Sequence, residues 1–133
     1  MPFVTDTHPL VYFHSGKDAK LSRRALRIFR DAEHGRDIIF IPVVVFLEID
    51  ALLRRGRIAL KEGSLVRWAS KLLDYPGFVA QDITVEIALE STTQRLVGDP
   101  MDSLIVAAAK VAELPLITSD QRIIESGLVE VVR

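Results

Sequence analysis

Five acidic side chains stand out by where they fall in the chain: Asp6, Glu48, Asp99, Asp102 and Asp120. Asp6 follows the apolar, β-prone run Phe3 to Thr5, and Asp120 follows Leu116 to Thr118, so each lies just past the end of an expected strand. Aspartate is also a favoured helix N-cap at such turns, and for these two residues a capping role stands beside a functional one. Glu48 is more telling. On a helix its neighbours three and four positions away are Val44, Val45, Ala51 and Leu52, all apolar, so its carboxylate emerges from a face that should be buried. A buried carboxylate needs a partner, either an arginine from elsewhere or a metal ion. Asp50 is the contrast: Arg54 four positions on gives it an ordinary surface pair. Asp99 and Asp102 lie three apart at the start of one expected helix, near the positive end of its dipole. Asp99 reads as a cap or a ligand, and Asp102 as the third position of a capping arrangement or a ligand.

Several carboxylate oxygens in a chain without cysteine suit a hard cation such as magnesium or manganese. Such an ion lowers the pKa of a bound water, orients it for in-line attack and stabilises a leaving oxygen. The chemistry implied is phosphodiester hydrolysis. His8, His14 and His34 offer no rival mechanism, being scattered, without a helical His-x-x-x-His pair and without a serine or cysteine nucleophile signature. The dispersed glycines Gly16, Gly35, Gly56 and Gly63 form no phosphate-cradling loop.

The elements that must position these acids can be traced from the hydrophobic pattern. Helices are expected over Thr7 to Phe13, Leu21 to His34, Val43 to Arg55 after Pro42, Glu62 to Leu73, Thr84 to Leu96, Pro100 to about Glu113, and Ser119 to Glu125. Strands are expected at Phe3 to Thr5, Ile38 to Ile41, Phe78 to Ala80, Leu116 to Thr118 and Leu128 to Val132. Short apolar strands alternating with helices predict an α/β three-layer sandwich, with a central, mainly parallel sheet of about five strands flanked by helices. Function then belongs at the carboxyl ends of the strands, where Asp6 and Asp120 fall.

At 133 residues the chain suits a single domain, residues 1–133, without a linker. Its 49% apolar and 26% charged composition excludes disorder. No apolar run approaches the roughly 20 residues that cross a bilayer, and the start lacks the basic and small-residue features of a secretory signal. With no cysteine, disulfides are excluded and a cytoplasmic location is expected. Seventeen basic against 18 acidic residues leave a net charge of −1, which makes no overall case for nucleic acid. The two basic clusters, Arg23, Arg24, Arg27 and Arg30, then Arg54, Arg55, Arg57 and Lys61, read first as solvated helix faces.

Four blocks then take on a common meaning: Val4-Thr5-Asp6-Thr7-His8, Pro42-Val43-Val44-Val45-Phe46-Leu47-Glu48, Asp99-Pro100-Met101-Asp102-Ser103-Leu104-Ile105-Val106-Ala107-Ala108-Ala109, and Leu114-Pro115-Leu116-Ile117-Thr118-Ser119-Asp120. Together, and in this order, they resemble the PIN domain and, at this length, the VapC-type toxins of toxin–antitoxin pairs. The resemblance implies that Asp6, Glu48, Asp102 and Asp120 form a catalytic quartet binding one or two Mg2+ or Mn2+ ions. It makes Asp99 an additional acidic neighbour and Thr118 a hydrogen-bonding support for the last carboxylate, that of Asp120. It further implies metal-dependent endoribonuclease activity on RNA, a homodimer, and a cognate antitoxin that covers the site, often with an arginine among the acids. Ser103 stands where many relatives carry arginine after the third acid. Two rival classes remain: a PIN-like interaction module without activity, and a receiver or flavodoxin-like binding domain. The receiver reading lacks its early acidic pair and its late strand-end lysine.

Overall fold

The three residues of β1, Phe3–Thr5, are buried without exception, which a strand achieves only when both of its faces are covered. The computed structural model, which describes residues 2–93 and 99–133, places this strand at the centre of a five-stranded sheet. The other strands are β2 (Ile39–Pro42), β3 (Phe78–Gln81), β4 (Leu116–Ile117) and β5 (Val131–Val132). Their order is β3-β2-β1-β4-β5, and every pairing is parallel. The registers are fixed by pairs such as Phe3 with Ile39 and Val4 with Leu116. The expected sandwich is therefore formed, with a sheet that is wholly parallel. The inner strands are continuous apolar runs, whereas β3 at one edge exposes Val79 and Ala80.

Seven α-helices flank the sheet among the described residues: α1 (Thr7–His14), α2 (Arg23–Glu33), α3 (Val43–Arg54), α4 (Leu65–Asp74), α5 (Val85–Thr93), α6 (Pro100–Ala112) and α7 (Gln121–Ser126). Helix α2 shows the ordinary logic: Ser22 caps it by accepting a hydrogen bond from Ala25 N at 3.0 Å, and Ala25, Ile28, Phe29 and Ala32 form its buried stripe. Helix α6 is buried more widely, through Ile105, Val106 and the three alanines Ala107 to Ala109, whose small side chains let neighbours approach on several sides. No helix among the described residues is long and apolar enough to cross a membrane.

The differences from the expected elements have local causes. Helix α4 begins at Leu65 rather than Glu62 because Ser64 is its cap, accepting from Arg67 N at 3.1 Å, and the preceding Gly63 has φ +77°. A short 3-10 turn at Asp18–Lys20 falls between α1 and α2, where no element was expected. Strand β5 is limited to Val131–Val132, the two residues that have β4 partners. Residues 94–96, the end expected for α5, lie outside the described residues.

The strand order fixes where a ligand can approach. From β1 the chain builds outward through β2 and β3, then returns to the other side of β1 for β4 and β5. The reversal lies between β1 and β4, and the crevice beyond the carboxyl ends of strands at such a switch point is the natural binding place of an open parallel sheet.

Candidate active site

Asp6 is the first residue after β1, and its two carboxylate oxygens have separate duties. Oδ1 accepts from Thr7 N at 2.8 Å, capping α1, while Oδ2 accepts from the Thr118 hydroxyl at 2.7 Å. That hydroxyl, fully buried just past β4, also accepts from Asp120 N at 3.1 Å. One threonine thus ties together the turns that follow the two strands at the switch point. Thr7 makes a parallel link: its hydroxyl donates to Glu48 Oε1 at 2.5 Å, reaching across to α3.

Glu48 emerges from α3 half-buried, flanked on its own helix by the buried Val44 and Val45 and the half-buried Ala51 and Leu52. Asp102, in the first turn of α6, is 8% exposed. Asp6, Glu48 and Asp102 each offer an oxygen within 4.8 Å of the others. Asp50, by contrast, pairs with Arg54 at 2.8 Å on the surface, as its spacing indicated.

Three carboxylates this close strain one another. Burial pushes the Asp6 carboxyl above its ordinary range, opposed by its hydrogen bonds from Thr118 and Thr7. Glu48 is pushed up to about 7, first by burial and then by the charges of Asp6, Asp102 and Asp99, against the opposing bond from Thr7. Asp102 is pushed up to about 6 by burial and by Asp6, Asp99 and Asp120, with Arg122 pulling the other way. A divalent cation among these oxygens would relieve both the desolvation and the repulsion. All-oxygen donors are also what magnesium or manganese prefers, so the residues present fit such an ion.

Asp120 and Asp99 stand further out. Asp120 is half-buried and caps α7, accepting from Arg122 N at 2.9 Å, and Asp99 caps α6, accepting from Met101 N at 2.9 Å. Both line the same cavity of about 400 Å³ as the three clustered acids. Asp120 is not within the 4.8 Å group.

The same cavity holds groups that sequence spacing did not single out for the site: His8, Arg55 and Arg122. Arg122 donates through Nη2 to Asp102 Oδ2 at 2.7 Å and lies 3.5 Å from Asp120 Oδ2. Its only sequence signal was its place two residues after Asp120. Thr7 was equally silent, since nothing local links it to a residue 41 positions away.

The sequence pattern of the PIN domain family matches residues 3–127, nearly the whole chain. The chain belongs to the PIN-domain family. No curated protein matches it. Among solved structures, this PIN domain is similar to a chain of the Rickettsia felis VapBC2 complex bound to a promoter DNA fragment, with TM-score 0.72 and 14% identity over 99% of this chain and 98% of that one. It is also similar to a chain of a Klebsiella pneumoniae toxin–antitoxin complex, with TM-score 0.62 and 18% identity over 98% and 96% of the two chains. A chain of the Neisseria gonorrhoeae FitAcB structure gives TM-score 0.60 and 13% identity over 100% and 97%. At such identities the likeness is one of fold, end to end, and the PIN domain expected from the four sequence blocks is the family found.

Proposed function

We propose that this PIN domain is a divalent-metal-dependent endoribonuclease and the toxin of a toxin–antitoxin pair. The observation that carries the nuclease reading is the convergence of Asp6, Glu48 and Asp102, from three separate elements, at the switch point of the sheet. The toxin reading rests on the end-to-end fold likeness to chains solved in toxin–antitoxin complexes.

Asp6, Glu48 and Asp102 would hold Mg2+ or Mn2+, with Asp120, which lines the same cavity, completing the acidic quartet. When bound, the ion supplies Lewis acidity and a more acidic water. The chain's own residues prepare the place for it. Thr118 and Thr7 hold the carboxylates of Asp6 and Glu48 in position before any ligand arrives, so little reorganisation is left for the reaction. Arg55 and Arg122, at the cavity wall, offset the acids' repulsion toward an RNA phosphate. RNA is thus the proposed substrate, a cognate antitoxin the proposed partner, a homodimer the proposed assembly and the cytoplasm the proposed location.

Purified protein should cleave single-stranded RNA with added Mg2+ or Mn2+ and stop when a chelator is added. Asp6→Asn and Asp102→Asn should each lower cleavage by about 100-fold or more, as loss of a group acting on the transition state does. Cleavage of wild-type rate by either variant would sink the assignment. Induced expression should arrest growth, and co-expression of the antitoxin should restore it; unimpaired growth on induction would count against the toxin role.

A further inference from the structure

We infer that Arg122 is the internal counter-ion of the metal-free site and competes with the divalent ion for it, so that it lowers metal affinity. The inference rests on the proposed metal reading of Asp6, Glu48 and Asp102. It begins with a geometric fact about a fourth element: α7 brings a guanidinium, not a carboxylate, to Asp102, at 2.7 Å from Oδ2. The same Nη2 lies 3.5 Å from Asp120 Oδ2, so one cation spans an acid of the cluster and the neighbouring Asp120.

Such an arrangement answers the electrostatic problem of an acid cluster without metal. Asp6, Asp99 and Asp120 all act on Asp102 as like charges, and Arg122 is the opposing charge. The guanidinium does for Asp102 what a cation would do, with one difference: it reaches in from the rim, its side chain 55% exposed while that of Asp102 is 12% exposed. An exposed, long side chain can rotate into water at small cost. A dication cannot share the position freely. An ion held by Asp102 would share a carboxylate that Nη2 already contacts, and two cations on one largely buried carboxylate would repel strongly. Loading the ion therefore works against Arg122, and displacing Arg122 gives up the bond to Asp102. Both effects weaken metal binding relative to the acids alone.

The arginine's position along the chain makes it a built feature of the turn. Asp120 caps α7 by accepting from the backbone N–H of Arg122, so the cap and the guanidinium come from one residue. The side chain is thereby anchored at its root while its head points back over the cluster.

The test is Mn2+ binding to chelator-stripped protein, read by electron paramagnetic resonance of the free ion and by calorimetry. Arg122→Ala should bind Mn2+ about five- to tenfold more tightly than wild type, the size expected for removing one nearby, partly solvated charge. Arg122→Gln, which keeps a hydrogen-bond donor without the charge, should tighten binding similarly, and Arg122→Lys should stay near wild type. Arg67→Ala, which removes an exposed guanidinium from α4, should leave affinity unchanged and controls for bulk charge. In nitrogen-15 spectra, the Arg122 side-chain signals should shift and broaden when Mg2+ is added. Affinity in Arg122→Ala and Arg122→Gln equal to or weaker than wild type would overturn the proposal while leaving the metal reading intact. Absence of Mn2+ binding by wild type and every variant would overturn the metal reading and this inference with it.

Discussion

At Glu48 the needs of the fold and of the site pull apart. Its position on α3 buries it partly among apolar neighbours, and its ionised form is disfavoured until the pH passes about 7. The sign of the consequence follows from linkage. A group whose pKa is raised on folding adds stability below its unfolded value and loses it as pH rises through the folded value. Glu48→Gln, which cannot ionise, should therefore be more stable than metal-free wild type at pH 8, by about 1–2 kcal/mol after allowing for solvent screening. The two should converge below pH 4.5, where the glutamate is neutral in the folded and the unfolded chain alike; melting in chelator across this range checks it. A variant less stable at pH 8 would mean that the Thr7 bond outweighs the desolvation. Glu48 was also the most legible residue of the cluster, because its odd neighbours at three and four positions are local. Thr7 and Arg122 were not, because their partners, 41 and 20 positions away, are set only by the tertiary fold.

Among the elements, helix caps and clustered acids prove to be compatible readings. Asp6, Asp99 and Asp120 each cap a helix and each line the cavity, so a capping role does not keep a side chain away from the site. Spacing could reveal the cap but not which way the second oxygen faces. The hydroxyl that joins the β1 and β4 turns gives a sharp prediction. Thr118→Val should cost about 1–3 kcal/mol in chemical denaturation, since it strips a bond from buried Asp6 and another from Asp120 N. It should also weaken Mn2+ binding, whereas Thr118→Ser should restore both. At the opposite side of β2, Gly77 permits a close crossing: a Cβ there would lie 2.3 Å from the carbonyl oxygens of both Ala32 and Asp37. Gly77→Ala should destabilise the protein by about 3 kcal/mol or more, a backbone clash that no side-chain rotation relieves. Its tolerance, read by thermal melting, would show that α2 and β3 can separate locally. The Tyr75-Pro76-Gly77 turn was readable in sequence, but the crossing that demands the glycine was not. Helix starts were readable to within a few residues, as in α4, expected from Glu62 and found from Leu65 behind its cap Ser64.

For the molecule as a whole, alternation of short apolar strands with helices was enough to foresee a parallel sheet, because such strands need cover on both faces. The strand order was not legible, since apolar runs of two to four residues carry no partner code of their own. That order is what makes the acids meet. Loading the site should therefore stabilise the entire fold. Mn2+ at about 100 times its dissociation constant should add about 2.7 kcal/mol, a Tm rise on the order of 10 °C. At one fixed Mn2+ concentration the increment should grow from pH 5 to pH 8, because the ion needs Glu48 and Asp102 ionised and they are pushed up to about 7 and 6. His14 acts differently in the metal-free protein: burial pushes it down to about 4, so stability falls as pH drops below about 6.5, where the unfolded chain takes up the proton. An increment independent of pH would argue that the ion binds away from these acids.

The hydrogen bond from Thr118 to Asp6 closes a loop of 112 positions, and it joins the central strand of the sheet to the turn after β4. The side of β1 that pairs with β4 stays open until the chain has passed residue 117, so the Asp6 carboxylate lacks its Thr118 bond until then, whereas Glu48 and Asp102 come from elements already made. A chain cut short just before residue 118 would carry Asp6, Glu48 and Asp102 without the bond that holds the Asp6 carboxylate. For the proposed RNA-cutting enzyme, fixing of the Asp6 carboxylate therefore waits on a residue that follows all three clustered acids in the chain.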